Sequence, residues 1–161
     1  MTAGVVVIGV GNSFRRDDGV GVAVAEEIAR RHLPDVHVVT GTGEPGAMLE
    51  AWAGARLAVI VDAVAGDGTR PGRIRRCGID EVAATDGLSS HAVALPQTYE
   101  LGRALDRLPD RLVVVTVDAA DTADGIGLTA DVAAAVPEVV AAVVAEVTDA
   151  IRRGSRSEFP I

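Results

Sequence analysis

Val and Ile dominate Gly4–Val10 (GVVVIGV), a pattern suited to a strand buried on both faces, with no wet side. Two similar runs, Leu57–Asp62 (LAVIVD) and Arg111–Asp118 (RLVVVTVD), and a shorter one, Val36–Thr40 (VHVVT), predict three more strands. Gly72–Arg76 (GRIRR) is polar enough for an edge strand. Between these runs the period changes to that of a helix. Val20, Val24 and Ile28 recur every four residues within 19–33, where Asp17 or Asp18 is placed to cap the N-terminus. A short helix is predicted over Pro45–Ala53 and another over Leu95–Leu108, with Pro96 fitting only its first turn. Pro137 reads as the opening of the last helix, over 137–153. Val140, Val144, Val147 and Ile151 form its stripe and Gly154 stops it.

Strands alternating with helices specify the α/β class. The expectation is a single-domain three-layer sandwich: a twisted, mostly parallel sheet covered by helices on both faces. The 161 residues suffice for one domain, placed at 1–154, with 155–161 an aperiodic tail expected to fray. A hydrophobic content of 48% excludes a disordered chain. Aromatic residues are few (Phe14, Trp52, Tyr99 and Phe159), so the core must be built from Val and Ala.

Charge narrows the partners. All 15 basic residues are Arg, and 23 acidic residues bring the net charge to −8, a surface that repels a phosphate backbone; no nucleic-acid partner is expected. The one cysteine, Cys77, permits neither an internal disulfide nor a cysteine-rich zinc site and suits a reducing compartment. Met1–Phe14, the longest uncharged stretch, is shorter than the roughly 18 apolar residues of a membrane span. It also lacks the basic start of an export signal. The expectation is a soluble, cytoplasmic protein with no membrane association.

In an open α/β sheet, ligands bind beyond the carboxyl ends of the strands. The first strand is followed there by the Gly9–Gly21 segment, the third ends on Asp62, and Ser89-Ser90-His91 precedes a helix. Gly9-Val-Gly11 suggests a dinucleotide loop, but Phe14 takes the place of the third glycine. The second strand also ends at Thr40 without a ribose-binding acid, so no nucleotide cofactor is expected. Capping accounts for one of Asp17 and Asp18, and Asp62 and His91 each have an ordinary reading as turn or helix-start residues. Taken together they fit a carboxylate–carboxylate–imidazole site for Ni, Zn, Fe or Mn. Nucleophile readings are weaker. Cys77 has no neighbouring histidine in sequence, and Ser89 and Ser90 lack a nucleophile elbow. His32 and His37 read as ordinary surface residues, and Gly66–Gly72 as a turn-rich connection.

Five elements stand in order along the chain: G-V-G-N (Gly9–Asn12), D-D-G-V-G (Asp17–Gly21), V-D-A-V (Val61–Val64) with Pro71-Gly72, Ser89–His91, and G-L-T-A-D-V-A-A-A-V-P (Gly127–Pro137). Together they resemble the maturation endopeptidases of nickel–iron hydrogenases. The combination in this order is specific, and the resemblance covers residues 4 to about 153. The resemblance implies an endopeptidase, sometimes classed as aspartic-type, that removes the C-terminal extension of the hydrogenase large-subunit precursor. Cleavage would follow nickel insertion, with the metal carried by the precursor. It also implies that Asp18, Asp62 and His91 are the metal-contacting and catalytic positions. Two other readings use the same residues: a metal-dependent hydrolase that binds its own metal, and a chaperone that holds the precursor without cutting it.

Overall fold

The computed structural model describes residues 4–79, 81 and 90–157, excepting the side chains at 90–94 and 155–157. Its elements in chain order are β1 (Val5–Val10), α1 (Val20–Arg30), β2 (Val36–Gly41), α2 (Pro45–Trp52) and β3 (Leu57–Val64). They continue with β4 (Ile74–Cys77), α3 (Ser90–Ala104), β5 (Arg111–Asp118) and α4 (Ala130–Ser157). The five strands form one sheet in the order β2-β1-β3-β5-β4, so the direction in which the chain crosses the sheet reverses between β1 and β3. β1, β2, β3 and β5 are parallel, and β4, the polar GRIRR segment, lies antiparallel at the edge.

The unbroken apolar strands are explained by burial on two sides. Successive side chains alternate between faces. Val5, Val7, Val59, Val61, Val115 and Val117 pack with α1 and α4 through Val24, Ile28, Val140 and Val143. Their alternates Val6, Ile8, Val10, Ala58, Ile60 and Val114 pack with Met48, Leu49 and Trp52 of α2 and Leu95 of α3. The α/β sandwich anticipated from the pattern is therefore the fold. Trp52 is fully buried on the α2 side, its indole N–H donating to the Arg107 carbonyl and its ring meeting Tyr99 edge-on at 6.4 Å. Among the described residues no helix is long and apolar enough to cross a membrane.

Three helices depart from the sequence pattern at their ends. α1 opens at Val20 behind a 3-10 turn, Arg16–Gly19, and its N-cap Gly19 has no side-chain cap; neither Asp17 nor Asp18 caps it. α3 begins at Ser90, which puts Pro96 inside the helix and outside its first turn. α4 begins at Ala130, so Pro137 is internal, and the helix continues past Gly154 to Ser157. An internal proline costs about 3 kcal/mol. Here the apolar stripe extends through it, since Val132, Ala135, Val139 and Val140 are all buried. Burial of a valine stabilises by about 1.5–3 kcal/mol, enough with its neighbours to offset the lost hydrogen bond.

Candidate active site

Glycines bring the first site loop against the sheet. A Cβ on Gly9 would lie 2.3 Å from the Gly21 carbonyl oxygen, and one on Gly21 would lie 2.3 Å from that of Val61. Only bare backbone lets α1 approach the ends of β1 and β3 this closely. The glycines that suggested a phosphate loop thus serve helix–sheet contact.

The loop then turns back on itself. The Asp18 amide donates to the Arg15 carbonyl, and the Asn12 amide donates to Asp18 Oδ2 at 2.9 Å. The Asn12 side-chain oxygen accepts from the Phe14 amide. Asp18 is 5% exposed, its carboxylate fixed beside the end of β1.

Asp17 has a different task from the capping anticipated for it. It is fully buried. Its carboxylate accepts from the amides of Ala120, Asp121 and Thr129 and from the Thr129 hydroxyl, at 2.7–3.0 Å. Its own amide donates to the Asp121 carbonyl. Burial pushes the carboxyl up, but the donors from Thr129, Ala120 and Asp121 outweigh it and hold the group below the ordinary aspartate value. The acid therefore stays charged and joins the loop after β1 to the loop after β5.

Asp62 is not a turn residue. β3 continues two residues past it, where it lies level with Thr116 of β5, and it is 3% exposed. Its Oδ1 accepts from the Ala63 amide at 2.8 Å. Gly9 pairs with Val61, so Asp62 stands level with Val10 on the neighbouring strand. Both residues line a small cavity of about 10 Å³, room for about one water, with Met48, Ile60, Leu95 and Thr98. Asp18 and Asp62 thus share the carboxyl edge of β1 and β3.

His91 falls in the first turn of α3, one helical turn before Leu95. Leu95 lines the cavity next to Asp62, so α3 starts at the same edge of the sheet as the two carboxylates. The His91 side chain lies outside the described residues, as does all of Ser89. Among the described residues no three His, Cys, Asp or Glu side chains cluster as a metal site, a set that leaves out the His91 imidazole. The donors at this edge are hard carboxylate oxygens, a chemistry that with one imidazole suits a first-row divalent ion.

Sequence reasoning passed over Asp118, the last residue of β5. It is fully buried, and its Oδ2 accepts from the Arg70 amide and Arg73 Nε, both at 2.9 Å, with Arg75 Nη2 at 3.7 Å. Its Oδ1 has no partner among the described residues. The Asp118 backbone also bonds Gly72 and Arg73, so this acid shapes the connection between β3 and β4. An acid closing an apolar run at the carboxyl edge, as Asp62 nearly does, was the available signal.

The remaining candidates lie elsewhere. His37 pairs in register with Val6 near the start of β1, and both His32 and His37 are exposed. Cys77 ends β4 level with Val114, midway along the sheet and against the α2–α3 core. Burial and the Glu81 carboxylate push its thiol up against the opposing pull of Arg76, the reverse of what a nucleophile needs.

With this geometry, the chain matches the hydrogenase maturation protease family model over residues 22–146. It is 30% identical over 157 residues to the hydrogenase 2 maturation protease of Escherichia coli (strain K12), covering 92% of this chain and 96% of that one. The structure is similar to the hydrogenase maturating endopeptidase HybD of Escherichia coli, with a TM-score of 0.81 and 26% identity over 91% of this chain and 93% of that one. It also shares its fold with the [NiFe] hydrogenase maturation protease HybD of Thermococcus kodakarensis, with a TM-score of 0.78 and 22% identity over 89% and 99% of the two chains.

Proposed function

The chain belongs to the hydrogenase maturation protease family, and on that premise we propose that it is the endopeptidase that removes the C-terminal extension of a hydrogenase large-subunit precursor once nickel is in place. The observation that supports this reading is that two nearly buried carboxylates, Asp18 and Asp62, lie beside the carboxyl ends of the adjacent strands β1 and β3, at the edge where α3 starts with His91 in its first turn. Each carboxylate is oriented by a backbone amide, Asp18 by that of Asn12 and Asp62 by that of Ala63, and carboxylate oxygens are suited to a divalent cation presented by the substrate.

In this reading Asp18, Asp62 and His91 contact the nickel that the precursor carries, so that only loaded precursor is held in register. The bound ion is part of the substrate, and no nucleotide takes part. Hydrolysis adds a water oxygen to the scissile carbonyl carbon, breaks the C–N bond and delivers a proton to the departing amine. Metal polarisation or a carboxylate base activates that water. The raised Cys77 thiol supports a route without a cysteine nucleophile. The setting for this activity is the cytoplasm.

The test is to mix the purified protein with nickel-loaded and nickel-free precursor and follow the large-subunit mass. Loss of the extension from the loaded form alone is expected. Cleavage of both forms by a protein that itself binds nickel tightly would point to an autonomous metallopeptidase. Binding without cleavage would point to a chaperone.

A further inference from the structure

The loops that frame the carboxyl edge have little apolar support. Between Val10 and Val20, and again between Ala119 and Val132, no described hydrophobic side chain is fully buried. Phe14 and Ile126, one in each loop, are instead 70% and 80% exposed. Polar bonds order these segments. The Gly125 amide donates to the Phe14 carbonyl and the Arg16 amide to the Gly125 carbonyl. At the centre is Asp17, whose single carboxylate gathers three amides and a hydroxyl contributed by Ala120, Asp121 and Thr129.

A buried carboxylate is an expensive staple, and an apolar contact would join two loops at lower desolvation cost. What the carboxylate adds is direction, since each donor fixes an angle as well as a distance. Thr129 also directly precedes α4 and accepts the Ala133 amide, so the acid is anchored to the start of the longest helix, whose dipole favours negative charge there. Asp18 is the next residue along the chain, and its carboxylate is reached by the Asn12 amide of the same loop.

We propose that Asp17 is a positioning residue: without touching substrate, its buried carboxylate holds Asp18 in place by tying the 12–18 loop to residues 120–129 at the head of α4. This rests on the reading of Asp18 as a group that faces the substrate. Thr129 is the second member of the tie, supplying both an amide and a hydroxyl.

The test compares wild type, Asp17→Asn and Thr129→Val in two measurements. The first is kcat for processing of nickel-loaded precursor, per folded molecule. The second is amide hydrogen exchange at Asn12, whose N–H reports the Asp18 carboxylate, against Ile60 in the core. In folded Asp17→Asn, kcat should fall at least about tenfold. Asn12 exchange should accelerate by about tenfold or more, with Ile60 unchanged. Wild-type kcat, or unaltered Asn12 exchange, in the folded variant would overturn the proposal. If Asp17→Asn does not fold, Thr129→Val decides in its place, because it keeps every backbone donor: a severalfold drop in kcat with faster Asn12 exchange is expected, and wild-type values overturn the proposal. If the wild-type protein leaves loaded precursor uncut, the functional reading is what fails, and Asn12 exchange then decides the tie to Asp18 by itself.

Discussion

Gly11 sits directly against Asp18: a Cβ built on Gly11 would lie 1.9 Å from the Asp18 carbonyl oxygen, and the glycine has φ +146°. Neither the backbone oxygen nor the positive φ accommodates a methyl group without moving the loop. Gly11→Ala should therefore destabilise the protein by about 1–3 kcal/mol in urea unfolding. It should reduce precursor processing more than that loss of stability explains, because the displaced atom belongs to Asp18.

Asp17 sets a pH dependence with a definite sign. Its carboxyl titrates below the ordinary value of 3.8 in the folded protein, so the folded state favours the charged form. The stability it contributes is fully present above the unfolded value and is lost as pH falls through the folded one. Urea unfolding measured from about pH 6 down to about pH 2.5 should show stability declining toward acid, and the decline should be shallower in Asp17→Asn. An equal slope in both proteins would contradict this.

The α/β alternation and the three central strands β1, β3 and β5 were legible because both sheet faces are buried there, leaving runs such as LAVIVD with no competing helical reading. Helix ends were less legible. Pro96 and Pro137 mark helix starts by local chemistry, yet tertiary burial of Leu95 and Val132 draws each helix past its proline. The positions of Asp18 and Asp62 near the carboxyl ends of β1 and β3 were legible because one follows and the other nearly closes an apolar run. Asp17 and Asp118 were not, because their partners lie far away in sequence: Thr129 is 112 residues from Asp17, and Arg73 is 45 from Asp118. No local pattern encodes such a bond.

Cys77 should be dispensable. Its thiol is pushed up by burial and by Glu81, so it stays protonated near neutral pH. Cys77→Ser should process precursor within about twofold of wild type. Wild-type protein should react with iodoacetamide more slowly than an exposed cysteine peptide.

Pro137 offers a gain of stability remote from chemistry. It interrupts the hydrogen bonding of α4 although the helix continues on both sides. Pro137→Ala should raise stability by about 1–3 kcal/mol, read as a shift of the urea midpoint, with processing unchanged.

Intact-mass spectrometry of the nickel-loaded precursor, incubated with wild type, Asp62→Asn or His91→Ala, tests the central claim most directly. Wild type should convert the loaded precursor to the mass lacking the C-terminal extension and leave nickel-free precursor intact. Both variants should leave the loaded form uncut while keeping wild-type circular dichroism. Complete processing by folded His91→Ala, or equal cleavage of loaded and nickel-free precursor by wild type, would contradict recognition of substrate nickel by Asp18, Asp62 and His91.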